Sequence, residues 1–280
     1  MKNDDILGAA FVTGRSPQVQ ALSALLDRVA AVDTPLLVAG EPGTYKEAFA
    51  EAVHRKSPRR HDPFLVVDCV GSPLESLEVE LFGDDRDFMA GRGRSKEGIF
   101  EAAAGGTVFL GEVGELSVDL QSRVVRAIER KQIRRVGGTS IVSVNVRVIA
   151  STSRNPRTEL EEHRFRADFY YRLTTVEVRL PPLRERLEDI PALVKSIVDD
   201  LGIAGSPDGA ALLDPGFLSL LARYAWPGNM RQLRHHVERC LALGDVSLPP
   251  SMDTFPSVSG SYRIAKSVDS IKMLRVARKV

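Results

Sequence analysis

Apolar residues near the start of the chain recur at helical spacing. Val19, Leu22, Leu25, Leu26 and Val29 fall on one face of a helix predicted over Ser16 to Ala31. Pro17 stands in its first turn, where a missing N–H costs nothing. Short unbroken apolar runs follow at Pro35–Ala39, Phe64–Val67, Thr107–Leu110 and Val144–Ala150. Each has the length of a buried strand, and helical patterns such as Val118–Arg130 lie between them. Strands alternating with helices predict an α/β fold, a mostly parallel sheet with helices on both faces. No period of solenoid length interrupts that reading.

From about Leu183 the texture changes. Pro191–Leu201, Pro215–Arg223 and Asn229–Leu243 read as three helices with Gly/Pro/Asp-rich joints and no strand between them. The expected organisation is a short leader over 1–10, an α/β subdomain over 11–182, a small all-α subdomain over 183–244, and a linker with a basic tail over 245–280. In that tail Ile264, Val268 and Ile271 could share one face of a short helix.

Bulk composition narrows the field without choosing a function. There are 38 Lys plus Arg against 37 Asp plus Glu, so no global charge points to nucleic acid or a membrane surface. The two cysteines, Cys69 and Cys240, are far apart and do not build a disulfide framework; reduced thiols fit a cytoplasmic protein. No apolar run approaches the roughly 20 residues of a membrane helix. The histidines show no metal-ligand spacing, and adjacent His235 and His236 cannot both face one ion.

Candidate chemistry lies in GEPGTYKE, Gly40 to Glu47, directly after a predicted strand. A phosphate-binding loop aims backbone N–H groups at phosphate oxygens just before a helix, and a lysine adds a point charge. Gly40, Gly43 and Lys46 fit that plan, but the strict pattern requires glycine at Tyr45 and Ser/Thr at Glu47. By its own residues the stretch is equally a structural turn that starts a helix. GGTVFLGEVGEL is a second half-match. NTP-hydrolysing sites end a buried strand in two acids, one for the metal shell and one to polarise water. Here only the second is present, Glu112, behind Gly111; the plain alternative is a solvated acid at a strand end.

Further blocks carry a resemblance: ELFG at Glu80, RRVGGT at Arg134, VRVIAST at Val146, FRADFYYRL at Phe165, LPPLRERLEDIP at Leu180 and WPGNMRQLRHHVER at Trp226. With the two half-motifs they make the chain resemble, from about Val12 to Gly244, the AAA+ P-loop NTPase module of the sigma-54-dependent bacterial enhancer-binding (NtrC-like) activators. The resemblance implies a ring that hydrolyses ATP between subunits, and a GAFTGA loop that pushes on sigma-54 RNA polymerase. It implies ATP contacts from Gly40, Glu41, Gly43, Thr44, Lys46 and Glu47, the family's loop reading GKE at its end. Glu112 matches the water-activating glutamate, and Asp68 the position of an asparagine that restrains it. Arg166 and Arg172 match two arginines that reach a neighbour's ATP, although local salt bridges are the other reading; Arg231 matches a lid arginine that senses nucleotide.

Several positions depart from that pattern. Tyr45 replaces the loop glycine, Gly111 the metal-shell aspartate and Ser153 the sensor asparagine. GAFTGA aligns on DFMAGR, Asp87 to Arg92, so that Met89 and Ala90 stand for its phenylalanine and threonine. A non-glycine residue in a left-handed conformation costs roughly 1–2 kcal/mol, with the ring free to point outward. Losing one preorganised charge costs on the order of 3 kcal/mol, about a hundredfold in rate. The expectation is a hydrolysis-impaired regulatory or ring-partner protein that binds ATP weakly, with magnesium only if hydrolysis survives. The alternative is a working ATPase that remodels sigma-54 polymerase from solution. Expected partners are copies of itself or homologous AAA+ subunits, with the grip on sigma-54 polymerase weakened. The short lead-in is expected to leave no room for a sensor domain and the tail no complete helix-turn-helix, so that the expected DNA contact is no more than weak phosphate binding by basic residues.

Overall fold

The computed structural model describes residues 14–71, 73–246 and 262–263. The expected leader and the expected helix around Ile264, Val268 and Ile271 lie outside the described residues. Contacts divide the chain into two compact units, one of residues 23–41 and 46–180, the other of residues 1–22, 42–45 and 181–280. The second unit therefore draws in the chain before residue 23 and four residues of the Gly40–Glu47 stretch.

The first unit is built on five parallel strands: β1 (Leu36–Ala39), β2 (Phe64–Asp68), β3 (Thr107–Gly111), β6 (Arg147–Thr152) and β7 (Glu177–Arg179), in the order β2-β3-β6-β1-β7. All four residues of β1 and all six of β6 are buried. Successive side chains of a strand point to opposite faces, so both faces of the sheet centre are covered. The helices of more than one turn are α1 (Pro17–Ala30), which runs on from the second unit, α2 (Lys46–Lys56), α3 (Leu74–Phe82), α4 (Val118–Arg130), α5 (Pro156–Glu161) and α6 (Ala167–Leu173). Helix α4 begins at Ser117, whose Oγ accepts from the Leu120 N–H at 3.3 Å. It buries Leu120, Val124 and Val125 and turns Arg126 and Arg130 outward. The core continues through Leu37, Phe82, Phe100, Val108, Leu110, Val148 and Phe169.

The strand expected over Val144–Ala150 is shifted. Val144, Asn145 and Val146 stay outside β6, which runs on to Thr152. Just before it stands an antiparallel hairpin, β4 (Gln132–Arg134) with β5 (Ile141–Ser143), joined by the glycine-containing RVGGTS. Each strand is three residues long and largely exposed, so no apolar run announces it.

Among the described residues after 183 the second unit holds four α-helices, not the three expected: α7 (Ile190–Asp200), α8 (Pro207–Leu212), α9 (Pro215–Leu221) and α10 (Asn229–Leu243). The addition is α8, in a stretch expected to be a joint. Ser206 caps it, accepting from the Gly209 N–H at 3.0 Å, and Leu212 anchors it in the core. Val194, Val198, Phe217, Leu221, Leu233 and Val237 are buried around Trp226, whose indole donates to the Leu221 carbonyl at 2.8 Å. The start of α1 is fastened in the same unit. Asp189 accepts from the Arg15 N–H (2.6 Å), the Ser16 N–H (2.9 Å) and the Ser16 hydroxyl (2.6 Å), while Arg186 donates to it at 2.9 Å. Among the described residues no helix is long and apolar enough to cross a membrane.

Candidate functional site

Parallel strands in register deliver their following residues to one end of the sheet. Ala39 lies opposite Thr152, and Leu110 opposite Ala150, with β3, β6 and β1 as immediate neighbours. Gly40, Glu112 and Ser153 therefore emerge side by side at the C-terminal strand ends, where ligands bind in open α/β sheets. Lys46, the first residue of α2, joins them.

These four residues close on one another. Lys46 Nζ donates to the Gly40 carbonyl at 2.9 Å and to Ser153 Oγ at 2.7 Å, and lies 2.9 Å from Glu112 Oε1. The Glu41 carbonyl is a further, longer acceptor at 3.4 Å. Ser153 in turn donates to both oxygens of Glu112, from its N–H at 2.7 Å and its hydroxyl at 2.8 Å. An ammonium has three protons, and here each has a partner. Glu112 sits at φ 53°, a left-handed conformation that a glutamate adopts only at a cost, and these bonds hold it there. Burial pushes its pKa up, but the hydrogen bonds from Lys46 and Ser153 and the Lys46 charge outweigh it, so the carboxyl titrates below its usual range.

At Gly111 the backbone is ordinary and there is room. A Cβ built there would come no closer than 3.4 Å to the Val67 carbonyl, and would lie 3.7 Å from Asp68 Oδ1. Asp68 is exposed; its Oδ1 accepts from the Val70 N–H at 3.0 Å, and it makes no hydrogen bond to Glu112 among the described residues. Magnesium finds a poor setting. The strand end lacks its first carboxylate, Glu47 is exposed where a Ser/Thr hydroxyl is common, and no trio of His, Cys, Asp or Glu able to hold an ion occurs among the described residues.

The remaining loop residues belong to the second unit. Gly43 stands at φ 80°, and a Cβ there would lie 2.2 Å from the Gly228 carbonyl, so only glycine fits. Asn229, fully buried at φ 52°, donates from Nδ2 to the Pro42 carbonyl at 3.0 Å and accepts from the Leu183 N–H at 2.8 Å. The Arg231 N–H reaches the Gly43 carbonyl at 3.3 Å, while its side chain is exposed. Thr44 is buried. The block WPGNMRQL thus grips the loop through its Gly228 and Asn229, a role the sequence reading did not assign. Tyr45 takes the left-handed conformation, at φ 60°. The side chain is half-buried, and burial raises its phenol pKa against the opposing charges of Arg234 and Arg231.

The other predicted residues lie apart from this cluster. Arg166 is half-exposed and bidentate on Asp168 at 2.9 and 3.0 Å; Arg172 stands 3.9 Å from Glu129. Exposed pairs of this kind contribute about 0–1 kcal/mol and exchange easily. In DFMAGR, a single helical turn covers Arg86–Met89, Gly91 takes φ 67°, and Phe88 and Met89 are each 57% exposed, with Ala90 exposed beside them. The exposed aromatic is thus Phe88, one residue ahead of the position matched to the family's phenylalanine.

A parallel sheet in this order, a lysine-bearing loop after β1 and a companion helical unit define an AAA+ P-loop module. The family model described as the sigma-54 interaction domain matches residues 12–179, and that of the AAA+ ATPase lid domain matches residues 184–258. The chain belongs to the sigma-54 interaction domain family of transcriptional activators. It is 40% identical over 236 residues to the Nif-specific regulatory protein of Azotobacter vinelandii, covering 84% of this chain and 45% of that protein. It is also 40% identical over 228 residues to the DNA-binding transcriptional regulator NtrC of Escherichia coli, covering 80% and 48%. Among solved structures, NtrX from Brucella abortus in complex with ATP superposes with a TM-score of 0.74 at 35% identity, covering 82% of this chain and 50% of that one. The chain spans about half the length of the curated relatives it matches.

Proposed function

We propose that this chain is a nucleotide-binding, hydrolysis-impaired subunit of a sigma-54-dependent regulatory assembly. The observation that carries the reading is the closed cluster of Lys46, Glu112 and Ser153 behind a strand end without its first acid. ATP is the nucleotide we assign, as in the NtrX complex, with the segment Gly40–Glu47 taking the phosphates and Lys46 exchanging its present partners for them. Three features oppose hydrolysis. Glu112 is held by Lys46 and Ser153, its lowered pKa makes it a weaker base toward water, and no carboxylate at position 111 completes a metal shell. Arg166 and Arg172, half-exposed and loosely paired, suit a contribution to a neighbouring subunit's ATP, because a guanidinium is always charged and grips phosphate bidentately. Self-assembly, or assembly with homologous AAA+ subunits, belongs to the same proposal. Tyr45, Gly111, Ser153, Met89 and Ala90 are the altered positions on which it turns.

Titration with a fluorescent ATP analogue followed by phosphate release tests it. Binding is expected, with turnover about a hundredfold below that of a relative carrying both strand-end acids. Turnover equal to that relative's would overturn the proposal. Tyr45→Gly combined with Gly111→Asp should restore turnover, since the space at 111 accepts the side chain. A second reading, a working ATPase, is favoured by one observation: the Asp68 carboxylate lies next to the vacated Cβ position. If Asp68 supplies the missing acid, Asp68→Asn abolishes a substantial basal turnover; under the first reading there is little to lose.

A further inference from the structure

In the first unit, α4 and the β4–β5 hairpin enclose an open cavity of about 400 Å³ on the face of α3. Five arginines line it: Arg123, Arg126 and Arg130 from α4, Arg134 from β4, and Arg135 just beyond. Glu78 is the one carboxylate among the described lining residues, and it is already paired with Arg123. The spacing explains the convergence. Positions 123, 126 and 130 recur at three and four residues and so share one helix face. The alternation of β4 buries Ile133 and leaves Arg134 exposed beside that face.

Two of the five are structural. Arg123 lies 4.1 Å over the Phe82 ring and donates to the Arg134 carbonyl at 2.6 Å. Arg135 is bidentate on Glu101 at 2.8 and 2.6 Å and also reaches Asp85 at 3.3 Å. The other three, Arg126, Arg130 and Arg134, are exposed and make no salt bridge among the described residues. Arg126 and Arg130, four apart on one helix, repel each other unless an anion lies between them. Burial and the neighbouring Arg126 charge both lower the Arg123 pKa, against the pull of Glu78, in keeping with crowded positive charge. A solvated basic face would need neither an enclosure nor Phe82, Ile133 and Ile141 as an apolar floor.

We propose that this cavity is a binding site for phosphate groups, separate from the Gly40–Glu47 loop, with Arg126, Arg130 and Arg134 as its ligating residues. Guanidinium forks match phosphate oxygens bidentately, and the volume admits more than one phosphate. That chemistry has two sources, the backbone of a nucleic acid or a free polyphosphate.

The test uses the full chain at low salt. A labelled 20-base-pair duplex is followed by fluorescence anisotropy and inorganic tripolyphosphate by calorimetry. Each is repeated with Arg126→Gln/Arg130→Gln, with Lys46→Ala and with Arg157→Gln, an 80%-exposed arginine elsewhere on the surface. At least one probe should bind, about tenfold more weakly to the double variant and unchanged with Arg157→Gln, while Lys46→Ala removes only the share held by the Gly40–Glu47 loop. If the source is a nucleic acid, the log–log salt slope for the duplex falls by about 2 in the double variant, one unit per lost phosphate contact. If only tripolyphosphate binds and shows the same loss, the source is a free polyphosphate. No binding of either probe, binding that survives the double variant, or binding lost equally with Lys46→Ala would each overturn the proposal. The two glutamines replace exposed side chains, and an unchanged circular dichroism melt excludes misfolding as the cause.

Discussion

Two glycines of the nucleotide-binding frame, one in each unit, teach opposite lessons. Gly43 stands at φ 80° with the Gly228 carbonyl 2.2 Å from where its Cβ would be. Gly111 has ordinary backbone, and its nearest prospective neighbour is 3.4 Å away. The first is glycine because nothing else fits; the second is glycine although an aspartate would fit. Packing and backbone together fix the residue at 43, whereas at 111 they leave the choice of side chain open. The helical unit's grip on the loop is thus sterically enforced, and the acids at the sheet end are free to drift.

The most direct way to break that contrast is to add one methyl group at each glycine. Gly43→Ala combines left-handed strain with overlap against backbone that cannot step aside. It should cost on the order of 3 kcal/mol and remove nucleotide binding. Gly111→Ala should change stability by less than about 0.5 kcal/mol. Thermal melts and nucleotide titration of both variants read the difference. Equal melting temperatures would mean that the loop relaxes away from Gly228 and that the grip is not enforced.

The helical unit also has an acid sensitivity of its own. His236 is buried in the core beside Trp226, at a ring-centroid distance of 5.8 Å. Burial first, and then the Arg239 charge, push its pKa down to about 4. A base with a depressed pKa is neutral in the fold and protonated in the unfolded chain between that value and about 6.5. Its contribution is complete above pH 6.5 and shrinks by about 1.4 kcal/mol per pH unit as pH falls toward 4. Tryptophan fluorescence reports on this unit, because the chain's one tryptophan is Trp226. The Trp226 transition should move to lower denaturant as the solution is acidified through that window, and His236→Gln should flatten the dependence. An unchanged pH profile in the variant would assign the sensitivity to other groups.

Much of this was legible in the chain because burial leaves a signature in pattern. The unbroken run before Gly40 is buried at every β1 position, and the 3.6-residue periodicity of 17–30 is one α1 helix. Features without apolar periodicity escaped. The β4–β5 hairpin buries only Ile133 of its strand residues, and α8 rests on a serine cap and a single buried leucine. At the site, the residue types of Gly40, Lys46 and Glu112 pointed to phosphate chemistry, and parallel register brings all three together. What residue types cannot tell is the state of the cluster. Ser153 reads as a lost sensor asparagine, yet it satisfies both oxygens of Glu112. Asn229 reads as part of a family block, yet its side chain ties Pro42 to Leu183. Such roles depend on backbone groups brought together by the fold, which no local pattern encodes.

The smallest expected effect examines the closed cluster itself. Three influences act on the Glu112 carboxyl: burial raises its pKa, while Lys46 and Ser153 lower it through hydrogen bonds and the lysine charge. Lys46→Ala removes one of the two opposing partners and leaves burial in place, so the pKa must rise. The contribution of ionised Glu112 is complete above the unfolded carboxyl range and is lost as pH falls through its lowered pKa; in the variant less of it is present to lose. Carbon-detected NMR of the carboxyl, followed over an acid titration, measures the shift without requiring turnover. Addition of nucleotide to the parent chain should move the resonance in the same direction, because phosphate would draw Lys46 away from Glu112. If nucleotide leaves the Glu112 titration where it was, Lys46 remains bound to Glu112 and the segment Gly40–Glu47 does not take the phosphate through its lysine.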